Sequence, residues 1–301
     1  MKHLRYILCF LLLLGGLAGY AQNADLETAY NCVQRGSIDS AKTFIDRAMK
    51  DKTLLNNAEA WYIRGFIYKE LYKKYEVGNI KTKYRDTAII DLFISTKLDT
   101  SSSNKDNNYS TIKFLAATYY NDAQPLMDSI HYLSSIKLYK KYRDIMKKMS
   151  LGNSLNVSDI EFYNALGDIY SNQFFNSATF NTERKYLDSA KKAFDFVLEV
   201  SPGNYHANYS IGRLYFNHAA NIINNTPFDA PISTVDQNQD SCVHLARLAL
   251  PYLKKAHELE PCKLEPIIGL KGCYYLLHDP DNFQKMDELE KKIRNHEPPC
   301  N

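Results

Sequence analysis

The side chains that most often carry chemistry are present in this chain but are not grouped. Apart from His3, the histidines stand singly at His131, His206, His218, His244, His257, His278 and His296. A zinc-protease helix needs two histidines four residues apart on one face with a glutamate base between them. The segment His257-Glu258-Leu259-Glu260-Pro261 supplies the first histidine and then stops at a proline. No G-x-S-x-G elbow, phosphate-binding loop or G-x-G-x-x-G turn occurs. Cys9, Cys32, Cys242, Cys262, Cys273 and Cys300 contain no C-x-x-C pair, so zinc and dithiol chemistry have no carrier. The sequence therefore reads as a non-enzyme without metal or cofactor, whose function would be binding.

The first residues bear on where that binding happens. Lys2, His3 and Arg5 precede an apolar run from Ile7 to Leu14, then Gly15-Gly16 and Gly19-Tyr20-Ala21. This is the charged, apolar and small-residue sequence of a secretory signal peptide, residues 1–21, cut after Ala21. An eight-residue run is too short to cross roughly 30 Å of hydrocarbon at about 1.5 Å per residue, so no stable membrane insertion is expected after cleavage. Export implies a periplasmic or secreted protein in an oxidising compartment. Removing Lys2 and Arg5 leaves 35 basic against 34 acidic residues, a balance that does not favour nucleic acid as partner.

The elements that must position any binding residues are helices, and they repeat. Trp61-x3-Gly65-x2-Tyr68, Ile112-x2-Leu115-Ala116-x2-Tyr119, Tyr163-x2-Leu166-Gly167-x2-Tyr170, Asn208-x2-Ile211-Gly212-x2-Tyr215 and Ile268-x3-Gly272-x2-Tyr275 share one arrangement. Each sets a large residue, a small one four later and a tyrosine three after that on one helical face. A second pattern follows: Ala41-x3-Ile45-x2-Ala48, Ala88-x3-Leu92-x2-Ser95, Ala190-x3-Phe194-x2-Val197-x4-Pro202 and Ala249-x3-Leu253-x2-Ala256-x4-Pro261. The small residues let a partner helix approach, and the proline ends it. Trp61 to Ala88 and Tyr163 to Ala190 are both 27 residues, and Lys83–Ala88 recurs as Lys185–Ala190, which indicates duplication of a larger block.

Together these patterns resemble the tetratricopeptide repeat, a helix–turn–helix unit of about 34 residues. The spacing departs from the family by the extra residues between Trp61 and Ala88 and between Tyr163 and Ala190. The resemblance implies an all-α, right-handed superhelical solenoid of antiparallel helix pairs. About six hairpins are expected, in N-terminal (22–157) and C-terminal (158–301) halves of one continuous array with a terminal capping helix. In that family the first helix of each pair lines the concave face. Shifting one position from each packing residue then selects Tyr62 and Phe66, Lys113, Ala117 and Tyr120, Asn164 and Asp168, and Tyr209, Arg213 and Phe216 as the partner-binding groove. The Lys/Asn/Arg set by which some relatives clamp a peptide carboxylate is not reproduced. The expected function is an exported scaffold in the bacterial envelope binding a protein or peptide partner. The alternative is carbohydrate or small-molecule capture by a Tyr-rich groove.

Three local expectations complete the reading. The stretch 224–239, with Pro227 and Pro231 and no apolar period, reads as a long loop. Asp39-Ser40, Asp86-Thr87, Asp128-Ser129, Asp188-Ser189 and Asp240-Ser241 read as the openings of five second helices, an acidic residue favouring the helix N-terminus. A last helix antiparallel to the one beginning near Pro266 would return Cys300 to Cys262, the preferred disulfide.

Overall fold

The computed structural model describes residues 23–176 and 180–297. Among the described residues it is all-helical, with twelve α-helices and no strand. In chain order these are α1 Ala24–Gln34, α2 Ile38–Ala48, α3 Ala58–Tyr75, α4 Lys83–Leu98, α5 Lys105–Ala123 and α6 Tyr132–Lys148. They continue with α7 Asn156–Phe175, α8 Phe180–Val200, α9 Tyr205–Asn224, α10 Ile232–Leu259, α11 Leu264–Leu276 and α12 Pro280–Arg294. Residues 1–21, expected from the sequence to be a signal peptide, and Cys300 lie outside the described residues.

Two compact units form. One comprises the described residues of Met1–Pro125 together with Ile136–Gly152, the other Leu126–Ser135 with the described residues of Asn153–Asn301. In each unit consecutive helices pack as neighbouring pairs, the helical-repeat architecture expected from the sequence. Three of the first helices start with one device. Asn23, Asn57 and Asn204 precede α1, α3 and α9, and each side-chain oxygen accepts from a backbone N–H in the first turn. That satisfies a donor the helix itself cannot pair.

The repeat pattern is a packing code. Ala41, Ile45, Ala48, Ala88, Leu92, Ala190, Phe194, Val197, Ala249, Leu253 and Ala256 are all essentially solvent-free. Opposite Leu92, Phe194 and Leu253 the first helices carry glycine because nothing larger fits. A Cβ on Gly65 would lie 2.7 Å from Leu92 Cγ, on Gly167 2.5 Å from the Phe194 ring, and on Gly212 2.6 Å from Leu253 Cγ. Helix pairs α3/α4, α7/α8 and α9/α10 thus interlock by the same glycine-on-bulky contact. The extra residues of α3/α4 and α7/α8 lengthen the helices themselves, to 18 and 16 residues in one pair and 20 and 21 in the other.

Several local expectations are corrected. The segment read as a loop over 224–239 is short, because α10 begins at Ile232. Pro231, with φ −53°, is already in the conformation that leads into a helix and needs no N–H there, so it starts α10 instead of interrupting it. Asp188 and Asp240 consequently lie inside α8 and α10, not at their openings, whereas Asp39 and Asp86 do sit in first turns. The motif Ile268/Gly272/Tyr275 is out of register. Ile267, Leu270, Cys273 and Tyr274 face the core, while Tyr275 is 71% exposed. With both faces of Leu264–Leu276 apolar, periodicity alone did not choose between them.

Candidate functional site

In the C-terminal unit the first helices α7, α9 and α11 neighbour one another, α9 standing between the other two, and each packs on its own second helix. The side chains turned away from those second helices form the candidate face. Helix α7 contributes Asn164 and Asp168, one turn apart. Helix α9 contributes His206, Tyr209, Arg213 and Phe216, spaced three, four and three residues along one stripe. Helix α11 contributes Glu265 and Ile268.

The polar groups of this face are linked but not closed. His206 Nε2 lies 2.8 Å from Asp168 Oδ2. Arg213 approaches the other carboxylate oxygen, Oδ1, only to 3.8 Å, beyond hydrogen-bond distance, and that oxygen has no donor. The guanidinium leans instead over the Tyr209 ring at 5.7 Å and is 38% exposed. Asn164 donates weakly to the Asn204 side chain at 3.4 Å. Tyr205 stacks parallel to Tyr209, centroids 6.0 Å apart, and Lys263 sits 4.4 Å from the Tyr205 ring. Burial, then the charge of Glu265, pushes the Tyr205 phenol up to about 12. Burial also raises Tyr209, against the pull of Arg213. Both rings therefore stay neutral donors around neutral pH.

Next to Arg213 the face opens into a cavity of about 210 Å³. Leu253 and Gly269 lie at its base, Tyr209, Phe216 and Ile268 form apolar walls, and Arg213, Asn217 and Glu265 supply its polar groups. Gly269 leaves this space open, since a Cβ there would sit 3.0 Å from Leu253. The Phe216 ring also covers Gly272 so closely that a Cβ there would lie 2.4 Å from it. Phe216 is thus wall and helix contact at once.

The N-terminal unit treats its expected residues differently. Tyr62 packs half-buried against the core of Ala29, Ala41, Ile45, Ile63, Ile67 and Leu71. The Phe66 ring is covered by the Lys69 ammonium at 3.9 Å. Tyr120 stacks on Tyr142 and Tyr139 of α6, at 5.3 and 5.8 Å. Lys113 is exposed on α5. The structure brings Asp168, Tyr209, Arg213 and Phe216 into one connected patch, with Asn164 one turn away on α7, and does not gather Tyr62, Phe66, Lys113 and Tyr120 in the same way. His206, Tyr205 and Glu265 were missed by sequence reasoning. Continuing the Tyr209–Arg213 stripe one turn toward the helix start reaches His206, so that residue was findable; Glu265 needed the correct register of α11.

Of the two cysteines of the disulfide expectation, Cys262 is disulfide-bonded and Cys300 lies outside the described residues; Cys32, Cys242 and Cys273 are free thiols. Burial pushes the Cys273 thiol up to about 12, which makes it an inert core residue. Among the described residues no group of three or more metal-ligating side chains occurs, and no helix is long and apolar enough to cross a membrane.

No family model matches the sequence, and no curated protein matches it. Among solved structures, the chain is similar over 92% of its length to a monomeric mutant of IFIT1 with Gppp-AAAA, at 15% identity and a TM-score of 0.35. It spans about half the length of that protein.

Proposed function

We propose that this protein is an exported, tetratricopeptide-like scaffold of the bacterial envelope. It acts by binding, not catalysis, and takes an extended segment of a protein partner on the α7–α9–α11 face. The observation that carries the reading is Arg213, a half-exposed guanidinium held just short of Asp168 beside an apolar cavity. Its donors are free to meet partner carbonyls, while the cavity admits one apolar side chain as anchor, the usual composition of a binding hot spot. Asp168 and Glu265 alternate in charge with Arg213 and Lys263, so the face fixes register rather than attracting one sign of charge.

A second reading, saccharide binding, has one observation in its favour: the parallel Tyr205–Tyr209 pair beside Asn164 and Asn204.

Crosslinking and pull-down from the native envelope test the first reading. Arg213→Glu and Tyr209→Ala should each weaken capture of the same partner at least about tenfold. If both leave every partner unchanged, the face is wrongly chosen; if Tyr209→Ala abolishes binding to a glycan array while protein capture persists, the saccharide reading replaces it. Export is tested separately by the N-terminal sequence of the protein in the envelope fraction, which should begin at Gln22.

A further inference from the structure

The other end of the C-terminal unit carries a knob beside a hole. The connection between α9 and α10, residues 225–231, presents the Phe228 side chain wholly to solvent, at 109% of the reference exposure. This is not a slack tip. Thr226 Oγ1 donates to Ile222 O at 2.6 Å and accepts from Asn238 Nδ2 at 2.8 Å, the Ala230 N–H bonds Pro227 O at 3.1 Å, and two prolines bracket the turn. The ring is held out by a fixed loop.

Thr226, two residues before Phe228, lines a cavity of about 440 Å³ with predominantly apolar walls, among them Ile223, Val235, Val243, Tyr275 and Leu276. It is about twice the volume of the cavity at Arg213. Phe228 itself is wholly exposed and does not line this space. Ile223 and Tyr275 of this lining are exposed, and so is Ile232 at the start of α10, apolar surface of the kind that monomers rarely leave uncovered.

We propose that this patch pairs with a second copy of the chain, Phe228 of each copy entering the cavity of the other. Knob and hole on one surface are what a twofold, self-complementary contact requires, and such a contact closes at two subunits. A phenyl ring fits well within the space available, and the rigid loop means that little order is lost on docking. Charge disfavours an anionic membrane surface as the occupant. Between Arg213 and Arg247 the chain has no lysine or arginine, but it has Asp229, Asp236 and Asp240.

Sedimentation equilibrium of the full mature chain, up to about 0.2 mM, reads the association. Wild type should form a concentration-dependent dimer. Phe228→Ala removes the knob, and Val235→Glu places a carboxylate in the hole. Both sites are exposed, and Glu at the fourth residue of α10 suits the helix N-terminus, so each variant should keep the wild-type helical signal and Tm. Each should weaken dimerisation at least about tenfold. The decisive sample is their equimolar mixture. The intact Phe228 of the Val235→Glu copy can enter the intact hole of the Phe228→Ala copy, so the mixture should associate more tightly than either variant alone. A wild type that stays monomeric, a Phe228→Ala variant that dimerises as wild type does, or a mixture no tighter than its components would overturn the proposal.

Discussion

The two units are built from the same hairpins but use their arginines in opposite ways. In the N-terminal unit Arg64 of α3 donates to both oxygens of Asp91 at 2.8 Å and to Asp46 at 3.2 Å. Arg85 of α4 has no solvent exposure; it bonds Thr82, Thr118 and Asp122 and lies 3.6 Å over the Tyr119 ring. Both cations are consumed by the fold. In the C-terminal unit Arg213 occupies a comparable first helix, yet stops 3.8 Å from its carboxylate and faces outward. A repeat scaffold thus fixes where a guanidinium stands, while the neighbouring helix decides whether it is structural or available to a partner. A carboxylate within 3 Å of the guanidinium makes the first, and a carboxylate already engaged by a histidine makes the second.

The largest expected effect follows from breaking the buried arrangement. Arg85→Ala leaves Asp122 without its cation and opens a hole between two tyrosine rings, and should destabilise the N-terminal unit by about 3–5 kcal/mol. Trp61, the single tryptophan, lies on α3, so its fluorescence during urea denaturation reports this unit. A loss under about 1 kcal/mol would mean that Arg85 is not a keystone of the unit. A smaller but related effect tests the packing code of the other unit. Gly167→Ala gains up to about 1 kcal/mol of helix propensity, but the new Cβ meets the buried Phe194 ring at 2.5 Å. Overpacking of that kind costs about 1–3 kcal/mol, so the calorimetric Tm should fall. A rise in Tm would show that α7 and α8 part easily.

This code is the part of the molecule that was most legible in sequence, because it is written in residue size. Gly65, Gly167 and Gly212 against Leu92, Phe194 and Leu253 are contacts that spacing alone can reveal. The candidate face was legible only in part. Tyr209, Arg213 and Asp168 follow from a one-residue shift along a helix whose buried side is unambiguous. Glu265 and the register of α11 do not follow, since Ile267-Ile268 and Tyr274-Tyr275 offer two equally apolar faces and only the neighbouring helix selects one. The fate of Arg64 was hidden for a similar reason. Its capture by the fold depends on Asp91 and Asp46, which lie 27 residues later and 18 residues earlier in the chain.

The comparison is sharpened by pH. Burial pushes the Asp91 carboxyl up to about 7, against the charge of Arg64. In the unfolded chain an aspartate titrates near 3.9, so between about 4 and 7 the folded state binds the extra proton. Stability contributed by this group is therefore greatest below that window, declines as pH rises through it, and is level above it. Asp91→Asn should remove the decline, reducing the loss between pH 5 and pH 8 by about 1–2 kcal/mol when followed at Trp61. An unchanged pH profile would mean that Asp91 stays charged throughout, bound to Arg64 as an ordinary ion pair.

The smallest effect on stability is expected where the effect on binding is largest. Arg213→Ala removes a side chain that makes no hydrogen bond among the described residues and only longer-range contacts with the Tyr209 ring and with Asp168, which keeps His206. Unfolding free energy should change by no more than about 0.5 kcal/mol, roughly a tenth of what Arg85→Ala costs. Asp168 is the internal control. If Arg213 is free for a partner, Asp168→Asn should also leave stability nearly unchanged while altering how firmly the guanidinium is held beside the cavity. A loss of 2 kcal/mol or more from Arg213→Ala would place this arginine with Arg64 and Arg85, as mortar between helices, and the contrast between the two units would fail at the residue on which it rests.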